Sequence, residues 1–305
     1  MNLLRSNQMK ISYLSIASFI CFFILLWVDV HAQHGISHNQ FGQLRNSFNS
    51  SLSTMDKQGS ISLLNRNQWI GVDGAPKSIW ASGNLGLQQL GASAGFEAKH
   101  VAMGILKETE ISIYVAKSIK ISENEYLGVA VGGGLLNFQG NYNNLDPTDP
   151  SFRDNIRQTD GILNASTSVY SPERYYVGAS VPRFSLNRRS NKEFNFDNIY
   201  FITAGAVFRL NDMLHLRPSV LVGVADEQKS TFNASALFFM ARKLGLGMGV
   251  QNQGNISGLL QLNFGSFGLG YSYQFGTNSN RLNPYISNST HEIGLRYRVG
   301  GIGML

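Results

Sequence analysis

From Gly59 to Val299 the chain is a succession of strand-length segments in which every second residue is apolar, separated by polar, turn-rich connections. Successive side chains of a β-strand point to opposite faces, so each segment has one apolar and one polar side. The last segment separates them most cleanly. His291, Ile293, Leu295, Tyr297 and Val299 make one face, and Glu292, Gly294, Arg296 and Arg298 make the other. Segments of about ten residues written this way specify an all-β fold, a transmembrane antiparallel β-barrel with lipid outside and a polar lumen within. Glu292, Arg296 and Arg298 are accordingly expected to face the lumen.

Period-two patterning and turn residues predict about 14 strands, from Ser60–Trp69 to His291–Val299. In the second half Tyr200, Ile202, Ala204, Ala206, Phe208 and Leu210 oppose Thr203, Gly205 and Arg209. Phe267, Leu269, Tyr271, Tyr273 and Phe275 oppose Gly268, Gly270, Ser272 and Gln274. Leu244, Leu246, Met248 and Val250 alternate with Gly245, Gly247 and Gly249. Two early strands are predicted over Gly91–Ala98 and Thr109–Ala116, and one later strand runs unbroken over Ile199–Leu210. Apart from Asp226–Ser230 and Asn252–Gly254, which are short where long ones are due, the connections also alternate, as outer-membrane barrels require of their short periplasmic turns and longer external loops. Phe138–Asp160, Pro182–Asn198 and Gly276–Thr290 are long; Ser171–Arg174, Asn211–Met213, Ala241–Lys243 and Gly265–Ser266 are short. A soluble β-sandwich is the alternative. Against it stand aromatic residues assigned to outward positions near strand ends, among them Tyr126, Tyr175, Tyr271, Tyr273, Phe275 and Tyr297, where membrane interfaces concentrate them.

Of 305 residues, 43% are hydrophobic and only 14% charged, yet a single stretch is long and apolar enough for a membrane helix. It runs from Ile11 to Val28 behind Arg5 and Lys10 and ends in Val30-His31-Ala32. Residues 1–32 therefore read as a cleaved export signal, an uncleaved anchor being the alternative. Residues 33–58, rich in Gln, Asn and Ser, read as a periplasmic lead-in; 59–299 form the barrel; 300–305 are a C-terminal tail. Both barrel termini are expected in the periplasm of a Gram-negative bacterium.

The side chains offer no catalytic constellation. Cys21, the sole cysteine, lies in the signal, which removes thiolate chemistry and disulfides. No Gly-x-Ser-x-Gly elbow is present, and Gly132-Gly133-Gly134 and the alternating Gly245, Gly247 and Gly249 lie within strands instead of linking strand to helix as nucleotide loops do. His34 and His38 would share a helix face but sit in turn-like sequence. Asp146 and Asp149 are better read as the turn residues of two Asp-Pro pairs than as calcium ligands. With net charge +6 and no run of Lys and Arg, nucleic acid is not an expected partner. No enzymatic activity, cofactor, metal or small-molecule substrate is expected.

One stretch exceeds what a barrel wall demands. Asn65-Arg66-Asn67-Gln68-Trp69-Ile70-Gly71-Val72-Asp73-Gly74-Ala75-Pro76 closely resembles the opening hairpin of the PorP/SprF family, matching its pattern at Arg66, Gln68, Trp69, Gly71, Asp73, Gly74, Ala75 and Pro76. Leu145–Phe152 is similar to the family's Asp-Pro-x-Asp-Pro-x-Phe loop. Arg174–Pro182, Leu216–Ser219 and His291–Tyr297 also match in order. The chain departs in lacking an Asn-Pro-Ala segment after the signal and in extending past its last strand.

The resemblance implies a non-enzymatic outer-membrane barrel of the type IX secretion system that assists secretion or surface attachment of specific proteins, with links to gliding motility. Outer-membrane lipid, a type IX-secreted surface protein and other secretion or motility subunits are the implied partners. The loops carrying Trp69, Asp73, Gly74 and Pro76, and Asp146, Asp149 and Phe152, are the expected interaction elements. A passive pore for small solutes is the alternative, since 14 strands can enclose water.

Overall fold

A computed structural model describes residues 38–56, 58–142, 155–186, 198–225, 230–252, 255–275 and 289–300. Its strands are β1 (Gly59–Gln68), β2 (Lys77–Leu87), β3 (Ala92–Met103), β4 (Leu106–Lys120), β5 (Tyr126–Gly140), β6 (Ile156–Ser171), β7 (Tyr175–Ser185), β8 (Ile199–Ala206), β9 (Phe208–Arg209), β10 (Leu214–Ala225), β11 (Thr231–Met240), β12 (Leu244–Gln251), β13 (Asn255–Phe264), β14 (Phe267–Phe275) and β15 (Thr290–Arg298). Each pairs antiparallel with its chain neighbour, β10 continues to β11, and β15 returns to β1, so the sheet closes without an edge. Strands β8 and β9 both pair with β10 and form one stave, which gives a 14-strand antiparallel barrel. The break between them falls at Val207, next to Pro218 of β10, which has no N–H to contribute to a ladder.

The two faces separate as alternation requires. Ile61, Leu63, Ile113, Val131, Leu246, Met248, Ile293 and Leu295 are exposed on the outside, while Ser62, Leu64, Ser112, Asn233, Glu292 and Arg296 are buried within. Two bands of rings cross β13–β15. Phe264, Phe267 and Tyr297 stack side by side toward the Gly59/Arg298 end, and Tyr271, Tyr273, Phe275 and His291 toward the Gln68/Thr290 end. Tyr126 corrects the outward assignment: it lies half-buried on the Gly128 face and stacks on Tyr170, with ring centroids 5.5 Å apart.

Strands β3–β6 are longer than apolar alternation indicates. The second connection at the Gln68/Thr290 end shrinks to Gly104-Ile105, because β3 and β4 continue through Lys99, Glu108 and Glu110. Those charges break the apolar count, yet they point inward, where Glu108 and Glu110 pair with Arg183. Arg183 reaches them through a register shift between Ser180 and Arg183, where Pro182 interrupts the β7–β8 ladder. The extra residue of a bulge flips the facing of everything after it. Arg183 and Ser185 thus turn inward, where strict alternation from Ser180 would have pointed them at lipid.

Residues 38–56 correct the expectation of a lead-in outside the barrel. They hold the short helix α1 (Arg45–Phe48) and a 3-10 turn, Ser50–Met55. Nearly every one of them is buried. Their contacts reach β2, β6, β7, β12, β14 and β15, strands spread around the whole circumference, so the segment occupies the lumen. Residues 1–37 and 301–305 lie outside the described residues.

Leu295 sits mid-strand, opposite Leu63 and Leu269, on the outer face. Leu295→Arg places a cation against hydrocarbon and is expected to cost about 2–4 kcal/mol, measured by urea unfolding from lipid vesicles. A value near zero would contradict the outward facing.

Candidate functional site

The lumen is built from small polar side chains. Ser60 and Ser62 on β1, Ser78 and Ser82 on β2, Ser166 and Ser168 on β6 and Ser272 on β14 face inward, with Gly245, Gly247 and Gly249 on β12. Small residues let another backbone come close. A Cβ at Gly270 would lie 1.9 Å from Gln40 Oε1, and one at Gly178 2.4 Å from Asn49 Nδ2, so the wall leaves no room there beyond what residues 38–56 fill.

Apolar contacts hold the middle of the segment. Phe41, Leu44 and Phe48 pack with Leu64, Trp80 and Leu221, and Phe201 lies against this cluster. Phe48 meets the rings of Trp80 and Phe201 edge-on at 5.0 and 5.4 Å. Further along, Leu52 and Met55 pack on Tyr170 and Tyr176. Burying a side chain such as Phe or Leu is worth about 1.5–3 kcal/mol each, so these five residues are a substantial anchor.

Charge pairs fix both ends of the segment. Glu292 is fully buried and ion-paired with Arg66 across the β1–β15 seam. Its Oε2 also accepts the backbone N–H groups of Asn39 at 2.9 Å and Gln40 at 3.1 Å. His38 Nδ1 stands 3.6 Å from Glu292 Oε1, beyond hydrogen-bonding reach, with its ring against Trp80. Toward the Gly59/Arg298 end Asp56 gathers three guanidinium groups. Arg296 Nη2 donates to it at 2.8 Å, Arg45 Nη2 at 2.9 Å, and Arg298 Nη1 lies at 3.4 Å; Asn46 and Ser60 donate as well. Glu292, Arg296 and Arg298 thus all point into the lumen, and all three contact the chain's own N-terminal segment.

Burial alone would raise the Asp56 carboxyl, but Arg296, Arg45 and Arg298 outweigh it and hold the group below the usual carboxylate range. For His38, burial holds the imidazole below its ordinary value, with Arg66 and Lys99 adding to the effect and Glu292 opposing it.

At the Gln68/Thr290 rim the β1–β2 turn is tied to its surroundings. Gln68 N–H donates to Pro76 O at 3.0 Å, Trp69 N–H to Ser289 O at 2.8 Å, and Gly104 N–H to Gly74 O at 2.8 Å. The turn therefore joins the β3–β4 hairpin on one side and the start of β15 on the other. Trp69 holds a left-handed φ of 48°, unusual for a bulky side chain. It is half-buried, as is Pro76, whereas Ile70, Asp73 and Gly74 are exposed. Asp146, Asp149 and Phe152 lie outside the described residues, as does His34. Among the described residues, no three His, Cys, Asp or Glu side chains come together to hold a metal.

Residues 41–55 are the lumen-filling element that reading for strands missed. Their signal was present: Phe41, Leu44, Phe48, Leu52 and Met55 recur every three or four residues, the spacing of one face of a helix.

The family model described as type IX secretion system membrane protein PorP/SprF matches residues 30–297. No curated protein matches the chain. Among solved structures, that of the Acinetobacter baumannii outer membrane protein Omp33 is 8% identical, with 80% of this chain and 99% of that one covered and a TM-score of 0.47. A Pseudomonas aeruginosa FadL homologue is 11% identical, with 83% and 93% covered and a TM-score of 0.46.

Two outcomes follow from the lumen contacts. Glu292→Ala strands Arg66 and two backbone N–H groups, and loss of one partner of a buried pair costs about 3–5 kcal/mol; limited proteolysis in detergent is expected to cut within residues 38–56 while the strands stay resistant. Because the folded His38 pKa is depressed, the released segment binds a proton that the docked one does not. Docking is therefore expected to weaken as pH falls below about 6.5, read as faster hydrogen exchange over residues 39–56, and His38→Gln is expected to flatten that dependence.

Proposed function

Because this chain belongs to the PorP/SprF family of type IX secretion system membrane proteins, we propose that it is a non-enzymatic outer-membrane barrel that assists the secretion or surface attachment of specific proteins. The observation that carries it is the family match over residues 30–297. A lumen filled by residues 38–56 adds support, because a passive solute pore draws none from it. The longer connections gather at the Gln68/Thr290 end, which we place outside the cell; Gly59 and Arg298 then face the periplasm, where other secretion or motility subunits have access. The Trp69–Pro76 turn, tied on both sides and exposing Ile70 and Asp73, is the proposed contact for the secreted client.

Tagged protein purified from native outer membrane is expected to retain a secreted surface protein, and deletion of the gene to deplete that protein from the cell surface in quantitative proteomics. An unchanged surface with nothing co-purifying would sink the proposal. Single-channel conductance of the intact barrel in planar bilayers would revive the pore.

A further inference from the structure

We propose that the lumen is a peptide-binding site whose resident ligand, residues 38–56, exchanges with an extended protein segment that offers a carboxylate in the place of Asp56. The wall holds the resident segment in part through its main chain. Glu292 accepts the N–H groups of Asn39 and Gln40, Ser166 Oγ accepts that of Ser51, Ser180 Oγ donates to Phe48 O, and Arg296 Nη1 donates to Gln43 O. Every peptide carries these groups, so such contacts do not depend on the sequence bound.

Side-chain matching is poorer. Several buried side-chain nitrogen and oxygen atoms of residues 38–46 have no hydrogen-bond partner among the described residues, including Nε2 of His38, Nε and Nη1 of Arg45 and Oδ1 of Asn46. Each such orphan costs about 1–3 kcal/mol. Arg45 also brings a third guanidinium beside Arg296 and Arg298, where one carboxylate already serves all three. The resident segment is held, but with defects that another sequence need not share.

Charge defines what the replacement must carry. The wall supplies Arg296 and Arg298, and the carboxylate that ion-pairs with both comes from the ligand, as Asp56; Glu173 reaches Arg298 at 3.9 Å from a turn at the rim. A segment lacking a carboxylate there would leave Arg296 buried and unneutralised. The vacated wall is lined by serines such as Ser60, Ser82, Ser168 and Ser272, which accept water readily, around an apolar patch of Leu64, Trp80, Phe201 and Leu221 that the replacing segment must also cover. This inference goes beyond the secretion reading, and its test uses the chain's own segment, so each stands or falls separately.

Ser47 Oγ and Ser82 Oγ lie 2.9 Å apart, one on the segment and one on β2, a separation suited to a disulfide after substitution. The full-length chain carrying Cys21→Ser, Ser47→Cys and Ser82→Cys is purified in detergent, and retention of the barrel is checked by heat-modifiable gel mobility in both redox states. The probe is a synthetic peptide of residues 38–56 with a photo-reactive phenylalanine analogue in place of Phe48. Under reducing conditions the probe is expected to label peptides containing Trp80 and Phe201, and oxidation to lower that labelling about tenfold or more, a difference of at least 1.4 kcal/mol in occupancy. An Asp56→Asn version of the probe is expected to label about tenfold less. Equal labelling in both redox states, or none in the reduced protein, would overturn exchange; equal labelling by the two probes would overturn the carboxylate requirement.

Discussion

A sheet in hydrocarbon cannot leave a strand edge unpaired, because lipid offers nothing to its N–H and C=O groups. Here the requirement is met by closure of β1 on β15, with nine residue pairs from Ser60↔Arg298 to Gln68↔Thr290 in unbroken register. Most of the architecture follows from it. Closure fixes an even number of staves, brings the first and last strands side by side, and encloses a space that the small inward side chains alone do not fill. Without the occupant, Phe201, Trp80 and Leu221 would face a void or water.

The occupant and the wall divide the energetic work. Lipid-facing Val, Ile and Leu place the barrel in its solvent, whereas the interior is held by ion pairs around Glu292 and Asp56 and by a thin apolar layer around Phe48. A second charged patch, Arg183 with Glu108 and Glu110, lies on the opposite arc of the wall and involves no residue of the segment. The interior thus has one part that depends on residues 38–56 and one that is complete without them. That division is why displacement of the segment is compatible with an intact barrel.

The wall was legible because lipid outside and polar groups inside impose the same two-residue period on every stave, as in Phe267–Phe275 or Leu244–Val250. Reading stopped short at the inward charges Lys99 and Glu108, and where the bulge beyond Ser180 reversed the facing of Arg183. The site was legible at Glu292, Arg296 and Arg298, whose inward direction needs alternation alone. Their partners were not, since nothing in period-two reasoning says that the space they face is occupied by residues more than two hundred positions earlier. The spacing of Phe41, Leu44, Phe48 and Leu52 held that information, but Gln, Asn and Ser between them resembled a solvated connection. Tyr126 went the other way: an aromatic near a strand end suggests an interface, yet its register puts it under the roof of Leu52 and Met55.

The seam where β15 meets β1 is also where the lumen contents are fastened, and this ties assembly order to chain order. Glu292 arrives near the end of synthesis and finds its partners, Arg66 on β1 and the amides of Asn39 and Gln40, early in the chain. Zipping the last strand to the first and seating the N-terminal segment therefore draw on one carboxylate. A nascent barrel that curls without residues 38–56 in place would bring to the final join a carboxylate that Arg66 neutralises but that lacks the two amides.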